Sequence, residues 1–288
     1  MQDRNKPKAK SCRQSGESSS MANLAILVPV YQADREQFSA SMASVSIAAP
    51  VDSEIIIGLD GPCAEDIYMV IERCSRARSN LKITTLELVH SGLAKTLNTL
   101  IEHSDSRWIA RQDADDYTLP TRFTHQMNAL EEQQEYAFCG TQITRCSNNL
   151  RPNKRQRRYP TTFRNQLIYA SCLNNPIAHP TLVMSRSKLG GLRYKDKSGV
   201  EDWQLYTDLW NKGHRSFNLR TSELLYRVHP NQITAAERSW SEIDRLKQES
   251  LKAAMRETKI GYKLKLLYSA SKALHLSEAL IGNKKAYS

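Results

Sequence analysis

Apolar and polar positions fall into alternating blocks along the first half of the chain. Leu24-Ala25-Ile26-Leu27-Val28-Pro29-Val30-Tyr31 is almost wholly apolar, the pattern of a short strand buried on both faces. From Asp34 to Ala48 the apolar residues Phe38, Met42 and Val45 recur at near-helical spacing, and Pro50 closes the block. The two kinds of block then repeat. A strand is predicted at Glu54–Pro62, ending in a Gly/Pro turn, and a helix at Asp66–Ala77. A strand at Leu81–Val89 is followed by a helix at Gly92–Glu102 that carries Leu93, Leu97, Leu100 and Ile101 on one side. A fourth strand, Arg107–Ala110, ends the series.

Such alternation predicts βαβ units, a parallel sheet and right-handed crossovers, hence an α/β fold. Ligands bind such sheets beyond the carboxyl ends of the strands. The loops Pro29–Asp34, Asp60–Pro62, His90–Lys95 and Asp113–Asp116 should therefore share one rim. Further on, the pattern predicts a helix at Thr121–Glu132, a strand at Tyr136–Ile143 and a helix at Thr161–Cys172. Asn174–Pro180 is a break before the strand-like Thr181–Met184. Ser198–Trp210 is a helix with Leu205/Leu209 and Tyr206/Trp210 four apart, and Leu219–Val228 is one more strand. Ala235–Ser288 is helical and basic, with Leu264, Leu267, Leu274 and Ile281 set among lysines. Such a segment can lie on an anionic membrane or pack on the core or on a second subunit.

Composition narrows the class. With 288 residues, 40% hydrophobic and 25% charged, the chain can build a real core in one large domain. No apolar run approaches the roughly 18 residues of a membrane span, and the first residues hold no apolar signal region. Six cysteines without a CxxC pair argue against a zinc site or a disulfide framework and fit a reducing cytoplasm. The net charge of +11 gathers in the N-terminal tail, in Arg151–Arg158 and in the C-terminal third, while acid concentrates in the middle. That distribution argues against a basic groove tracking a nucleic acid, and it permits a basic rim around a phosphate site or a membrane-facing side. Arg151–Arg158 itself reads as a solvated loop. The expected organisation is a disordered basic tail (1–21), a main domain (22–234) in two halves (22–120 and 121–234), and a basic helical extension (235–288).

Two stretches carry chemistry. Asp113-Ala114-Asp115-Asp116 packs three carboxylates into four positions. Taken alone it is equally an exposed loop of Asx-turns and helix caps, or a holder for a hard divalent cation bridging to substrate phosphates. Its place at the end of a buried strand, on the rim with Asp60 and Lys95, favours the cation. Asp116 is expected to cap the helix after Pro120. The second stretch puts Glu201 and Asp202 in the first turn of a helix, just after Gly199. Acidic residues favour that position through the helix dipole, and a carboxylate held there can also accept a proton. His229 lies on a loop where a structural role and a ligand role both remain open.

Val-Pro-Val-Tyr (28–31), Ile-Ile-Ile-Gly-Leu-Asp-Gly-Pro (55–62), Gly-Leu-Ala-Lys-Thr-Leu-Asn (92–98), Ala-Arg-Gln-Asp-Ala-Asp-Asp (110–116) and Gly-Val-Glu-Asp-Trp-Gln-Leu (199–205) stand in an order that resembles family 2 glycosyltransferases. The resemblance runs from about Leu24 to about Thr234 and implies a GT-A fold, a Rossmann-like, mostly parallel sheet flanked by helices. Asn-Pro-Ile-Ala-His-Pro-Thr (175–181) and Tyr-Arg-Val-His-Pro-Asn-Gln (226–232) are similar to segments of bacterial members that build surface polysaccharides. What the family implies is inverting transfer of a sugar from a nucleotide-diphosphate sugar, most often a UDP-sugar, to a saccharide or lipid-linked acceptor. By the same resemblance Pro29 and Tyr31 border the nucleotide pocket, Asp60 bonds the base, and Lys95 and Arg111 contact the donor. Asp113 sits by the ribose and metal, Asp115 binds Mg²⁺ or Mn²⁺, and His229 reaches the metal or diphosphate. Asp202 is the general base and Glu201 its neighbour and substitute. Two departures stand out: one carboxylate, Asp60, where relatives carry Asp-Asp-Gly-Ser, and no QxxRW, which favours single-sugar addition over polymerisation. A cytoplasmic protein, peripheral at the inner membrane face, is the expected setting. The competing functions are a nucleotide-sugar-binding scaffold without catalysis and a basic nucleic-acid-binding protein.

Overall fold

In a computed structural model the chain is described over residues 23–153, 159–160, 166–197, 199–228, 240–257 and 269. The basic tail, Lys154–Arg158, the start of the helix expected from Thr161, Ser198, His229 and nearly all of the extension beyond Glu257 lie outside the described residues. The elements run β1 (Leu24–Val30), α1 (Arg35–Ala48), β2 (Ser53–Asp60), α2 (Glu65–Ala77), β3 (Lys82–Leu88), α3 (Leu93–Glu102) and β4 (Trp108–Arg111). They continue β5 (Tyr117–Thr118), α4 (Arg122–Glu132), β6 (Tyr136–Cys146), α5 (Gln166–Ser171), a 3₁₀ turn (His179–Thr181), β7 (Val183–Ser185), α6 (Arg186–Leu189), α7 (Glu201–Asn211), β8 (Arg215–Arg227) and α8 (Trp240–Glu257).

The strands form one sheet in the order β3-β2-β1-β4-β7-β6-β8-β5. β3, β2, β1 and β4 pair in parallel, as the alternation predicts. β7 runs antiparallel between β4 and β6, β8 lies parallel to β6, and β5 is antiparallel on β8. Burial explains the sequence pattern. Every residue of β2 is buried, whereas β3, at the sheet edge, leaves its Lys and Glu positions to water. Because successive side chains alternate between faces, β1 sends Ala25 and Leu27 to one core and Leu24, Ile26 and Val28 to the other. The first core receives Leu97, Leu100 and Ile101 of α3 with apolar residues of α5, α7 and α8. The second receives Phe38, Met42 and Val45 of α1, Ile67 of α2 and Phe123 of α4.

Local chemistry sets the boundaries. The Asp34 side chain accepts from the Gln37 amide at 2.9 Å and starts α1. Gly92, at φ +88°, begins α3 in backbone space that a side chain would strain. Gly58 lets α3 settle on β2, since a Cβ there would stand 2.9 Å from both Leu100 Cδ2 and Thr96 Cγ2. Two differences from the sequence reading follow from tertiary contacts. β5 is two residues long, too short for any periodic signal, and exists by pairing with Leu224 and Leu225. β8 starts at Arg215 rather than Leu219, its register on β6 slipping twice between Gly140 and Ile143. The described part of the C-terminal extension packs on the domain: Leu251, Ala253 and Ala254 enter the core beside α5 and α7, and Ile243 and Leu246 close on Val200 and Trp203. No helix among the described residues is long and apolar enough to cross a membrane.

Candidate active site

The loops that follow β1, β2, β3 and β4 gather at one end of the sheet, and the first three are bonded together. Asp60 closes β2 and is buried. Its carboxylate accepts from the backbone amides of Ser91 (2.7 Å) and Gly92 (3.0 Å) and meets His90 Nδ1 at 3.1 Å. Most of its lone pairs are thus spent on bracing the loop that launches α3, not held out to a ligand. Tyr31, half-exposed just past β1, stacks on His90 with ring centroids 4.4 Å apart and planes 17° from parallel. Pro29, on β1, is partly buried beneath this rim. Lys95, in the first turn of α3, is exposed and turns toward Asp196, its ammonium 4.0 Å from that carboxylate.

β4 delivers the acidic loop. Arg111, the last strand residue, is buried and its guanidinium pairs with Asp113. Burial pulls the Arg111 guanidinium down, but Asp113 together with Tyr194 and Tyr206 outweighs it and the net shift is upward. Asp113, Asp115 and Asp116 each bring a carboxylate oxygen within 4.8 Å of the others. Burial pushes Asp113 above the usual carboxylate range, Arg111 pulling the other way and Asp115 adding to the push. Asp116 is fully buried and raised well above that range by burial, then by Asp115 and Asp113.

Asp116 corrects the sequence reading. It caps nothing: Thr121 occupies the N-cap of α4, without a side-chain cap bond. Instead Asp116 Oδ1 accepts from the Arg227 backbone amide at 2.9 Å, tying the loop to the end of β8, while Oδ2 is buried with no hydrogen-bond partner among the described residues. Three converging carboxylates with an orphaned buried oxygen form a hard-oxygen donor set that fits Mg²⁺ or Mn²⁺. This is the sole cluster of three or more such ligands among the described residues. His229, the further ligand expected, lies outside the described residues.

The second acidic pair opens α7. Asp202 Oδ1 accepts from the Trp203 amide (2.7 Å) and Oδ2 from Asn175 Nδ2 (2.7 Å). The amide face of Asn175 is itself set, because its Oδ1 accepts from the Ile177 amide at 3.3 Å. Glu201 is pushed up to about 7 by burial and then by Asp202. Tyr194 connects the two halves. Its hydroxyl lies 3.0 Å from His179 Nε2, and its backbone is held by both ends of the Asn98 amide at 2.9 Å. Burial raises the Tyr194 phenol; Arg111 opposes, while Asp202, Glu201 and Asp113 add to it. Glu201 in turn feels Arg111. Tyr194 and Arg111 thus lie within electrostatic reach of the acidic pair that opens α7. His179 is held well below its ordinary value by burial and then by Arg111, so its ring is neutral at pH 7. Sequence reasoning did not single out His90, Asn175 or Tyr194; the quoted 175–181 motif contains Asn175 and His179, but no spacing rule pointed to Tyr194.

The family model described as Glycosyl transferase family 2 matches residues 25–190. A curated relative, the amylovoran biosynthesis glycosyltransferase AmsE of Erwinia amylovora, is 25% identical over 236 residues, covering 81% of this chain and 86% of that protein. The crystal structure of S. aureus TarS 1-349 in complex with UDP-GlcNAc superposes with a TM-score of 0.59 at 17% identity, over 80% of this chain and 66% of that one. The mannosyltransferase PcManGT of Pyrobaculum calidifontis, solved with GDP-Man and Mn²⁺, gives a TM-score of 0.58 at 13% identity, over 93% and 81%.

Proposed function

The chain belongs to glycosyl transferase family 2 and is a glycosyltransferase of GT-A fold; from that premise we propose that it moves one sugar, with inversion, from a nucleotide-diphosphate sugar to a saccharide or lipid-linked acceptor. The observation that carries this reading is the cluster of Asp113, Asp115 and Asp116 at the end of β4, a hard-oxygen donor set in a chain of this family. Residues 22–120 then serve the donor and 121–234 the acceptor. Pro29, Tyr31 and His90 frame the nucleotide, Arg111 and Asp113 its ribose and phosphate side, and Lys95 the rim. Asp60 acts through the loop it braces. Asp115, with Asp113 and Asp116, holds Mg²⁺ or Mn²⁺, and His229 is an added ligand on this reading. The bound ion would neutralise charge on the departing diphosphate as a Lewis acid.

The chain's own part is positioning and proton transfer. Asp202, turned by Asn175, takes the proton of the acceptor hydroxyl; that oxygen bonds to the anomeric carbon as the bond to the diphosphate oxygen breaks. Glu201, near half-protonated at pH 7, is suited to donate a hydrogen bond beside the base. The amylovoran relative and the surface-polysaccharide motifs support a place in cell-surface polysaccharide synthesis, at the cytoplasmic face where lipid-linked acceptors are exposed. The TarS and PcManGT ligands support the nucleotide-sugar class of donor, and UDP-sugars are the first to test.

A thermal-shift panel of nucleotide diphosphates and nucleotide sugars, with and without Mn²⁺, tests the reading. One sugar nucleotide should stabilise the protein only with the ion, by about 2.7 kcal/mol at a hundredfold excess over Kd. The same rise without Mn²⁺, or none with any donor, would overturn it.

A further inference from the structure

Beneath the acidic loop runs a polar network that neither the donor nor the proton transfer uses. Gln112, fully buried, sits between Arg111 and the loop. Its amide nitrogen donates to the carbonyl oxygens of Asp113 (3.1 Å) and Asp116 (3.0 Å), the two ends of the acidic stretch, and to Ser41 Oγ (3.3 Å). Its Oε1 accepts from Arg122 Nη1 at 2.8 Å. Arg122, from the start of α4, is also fully buried. It further donates to the Arg111 carbonyl (2.7 Å), Thr118 Oγ1 (3.0 Å) and Gln126 Oε1 (3.2 Å). A guanidinium only donates and a carbonyl only accepts, so the Gln112 amide fits one way round.

The charge is as telling as the bonds. Buried arginines ordinarily face a carboxylate. Each of these acceptors on Arg122 is neutral, and burial draws its guanidinium down to about 9 against the pull of Asp116. It stays positive at pH 7, a fixed cation below three crowded carboxylates.

We propose that Gln112 and Arg122 are the positioning residues of the cation loop: Arg122 fixes the direction of the Gln112 amide, and that amide pins both ends of Asp113–Asp116 in the shape that receives a divalent ion. The proposal rests on the reading of the loop as a Mg²⁺ or Mn²⁺ site. Octahedral ions tolerate little error in ligand placement, so a loop held from within gains affinity that a loose one lacks.

The test titrates Mn²⁺ alone by electron paramagnetic resonance, alongside amide hydrogen exchange over residues 113–118, at a temperature where circular dichroism shows each variant folded. Wild type should bind Mn²⁺ at a site that Asp115→Asn removes. Gln112→Glu keeps the size but turns an acceptor toward two carbonyls; it should weaken Mn²⁺ by about tenfold or more and raise exchange in the loop. Arg122→Lys keeps the charge but cannot span the four acceptors, and should weaken Mn²⁺ by about threefold to tenfold. Should Gln112→Glu fail to fold, Arg122→Lys and Thr118→Val decide by the same two readouts. Folded variants with wild-type Mn²⁺ affinity and wild-type exchange overturn the proposal, whatever they do to the melting temperature. Faster exchange in the variants with no Asp115-dependent Mn²⁺ site in wild type would instead overturn the cation reading and leave the pinning of the loop intact.

Discussion

The acidic loop after β4 and the first turn of α7 both set carboxylates side by side, and they are built in opposite ways. At Asp113–Asp116 the backbone is pinned from beneath while the carboxylates are crowded, one of the Asp116 oxygens being buried without a partner among the described residues. At Glu201–Asp202 each oxygen of Asp202 accepts a hydrogen bond, and crowding falls on its neighbour Glu201, which is driven up to about 7. The first arrangement leaves charge for a cation to complete. The second satisfies one carboxylate and leaves its neighbour holding a proton. Burial alone does not tell such clusters apart; where the hydrogen bonds end does.

The contrast breaks most sharply under paired neutralisation. Asp115→Asn should abolish Mn²⁺-dependent donor binding. Asp202→Asn should bind donor normally and transfer sugar about a thousandfold more slowly, as general-base loss allows. Isothermal titration with single-turnover assays separates the two, and wild-type transfer by the Asp202 variant would remove its assignment as base.

Asn175→Ala is a gentler cut, since it removes one hydrogen bond from the Asp202 carboxylate at a residue outside the acidic loop. The expected result is a fall in kcat of about tenfold, near 1.4 kcal/mol, with KM for the donor unchanged. A loss confined to KM would mean that Asn175 serves binding rather than the base.

Glu201→Gln sharpens the comparison through stability. With its folded value raised from 4.5 to about 7, Glu201 keeps a proton in the native state that the unfolded chain releases over that interval. Its ionisation therefore costs nothing below pH 4, an increasing amount as pH rises through 4.5 to 7, and a constant amount above. Discounted for part exposure, that amount is on the order of 2 kcal/mol. The variant should melt with wild type at pH 4 and about 4 °C higher at pH 8. Equal melting at both pH values would show that Glu201 titrates normally.

Much of the first half was legible because β1 is apolar throughout, β2 is buried throughout around Ile55–Ile57, and three βα pairs with a fourth strand fix the rim by topology. Asp60 at the end of β2, Lys95 at the start of α3, the acidic loop after β4 and the acidic pair opening α7 fell where the pattern put them. What was hidden is polar and buried. Arg122 and Gln126 are four apart, on the same inward side of α4 as Phe123, Met127 and Leu130, yet a polar pair on a helix reads as its wet face. Asp116 was mistaken for a cap because an aspartate before a Pro and a helix fits that rule locally; its partner, the Arg227 amide, is 111 residues away. Tyr194, on a loop without periodicity, meets Asn98 and His179 from distant parts of the chain. Contacts of that range leave no trace in local spacing.

One consequence lies in α8. The match to the family model ends at residue 190, before Glu201 and Asp202, and the apolar side of α7 is sealed by Ile243 and Leu246 from still further along the chain. Removing everything after Val228 would lay Val200 and Trp203 bare to water, immediately beside the proposed base. Shortened forms should therefore aggregate or lose turnover even with every motif residue present, and chimeras that exchange sequence beyond residue 190 must carry α7 and α8 together.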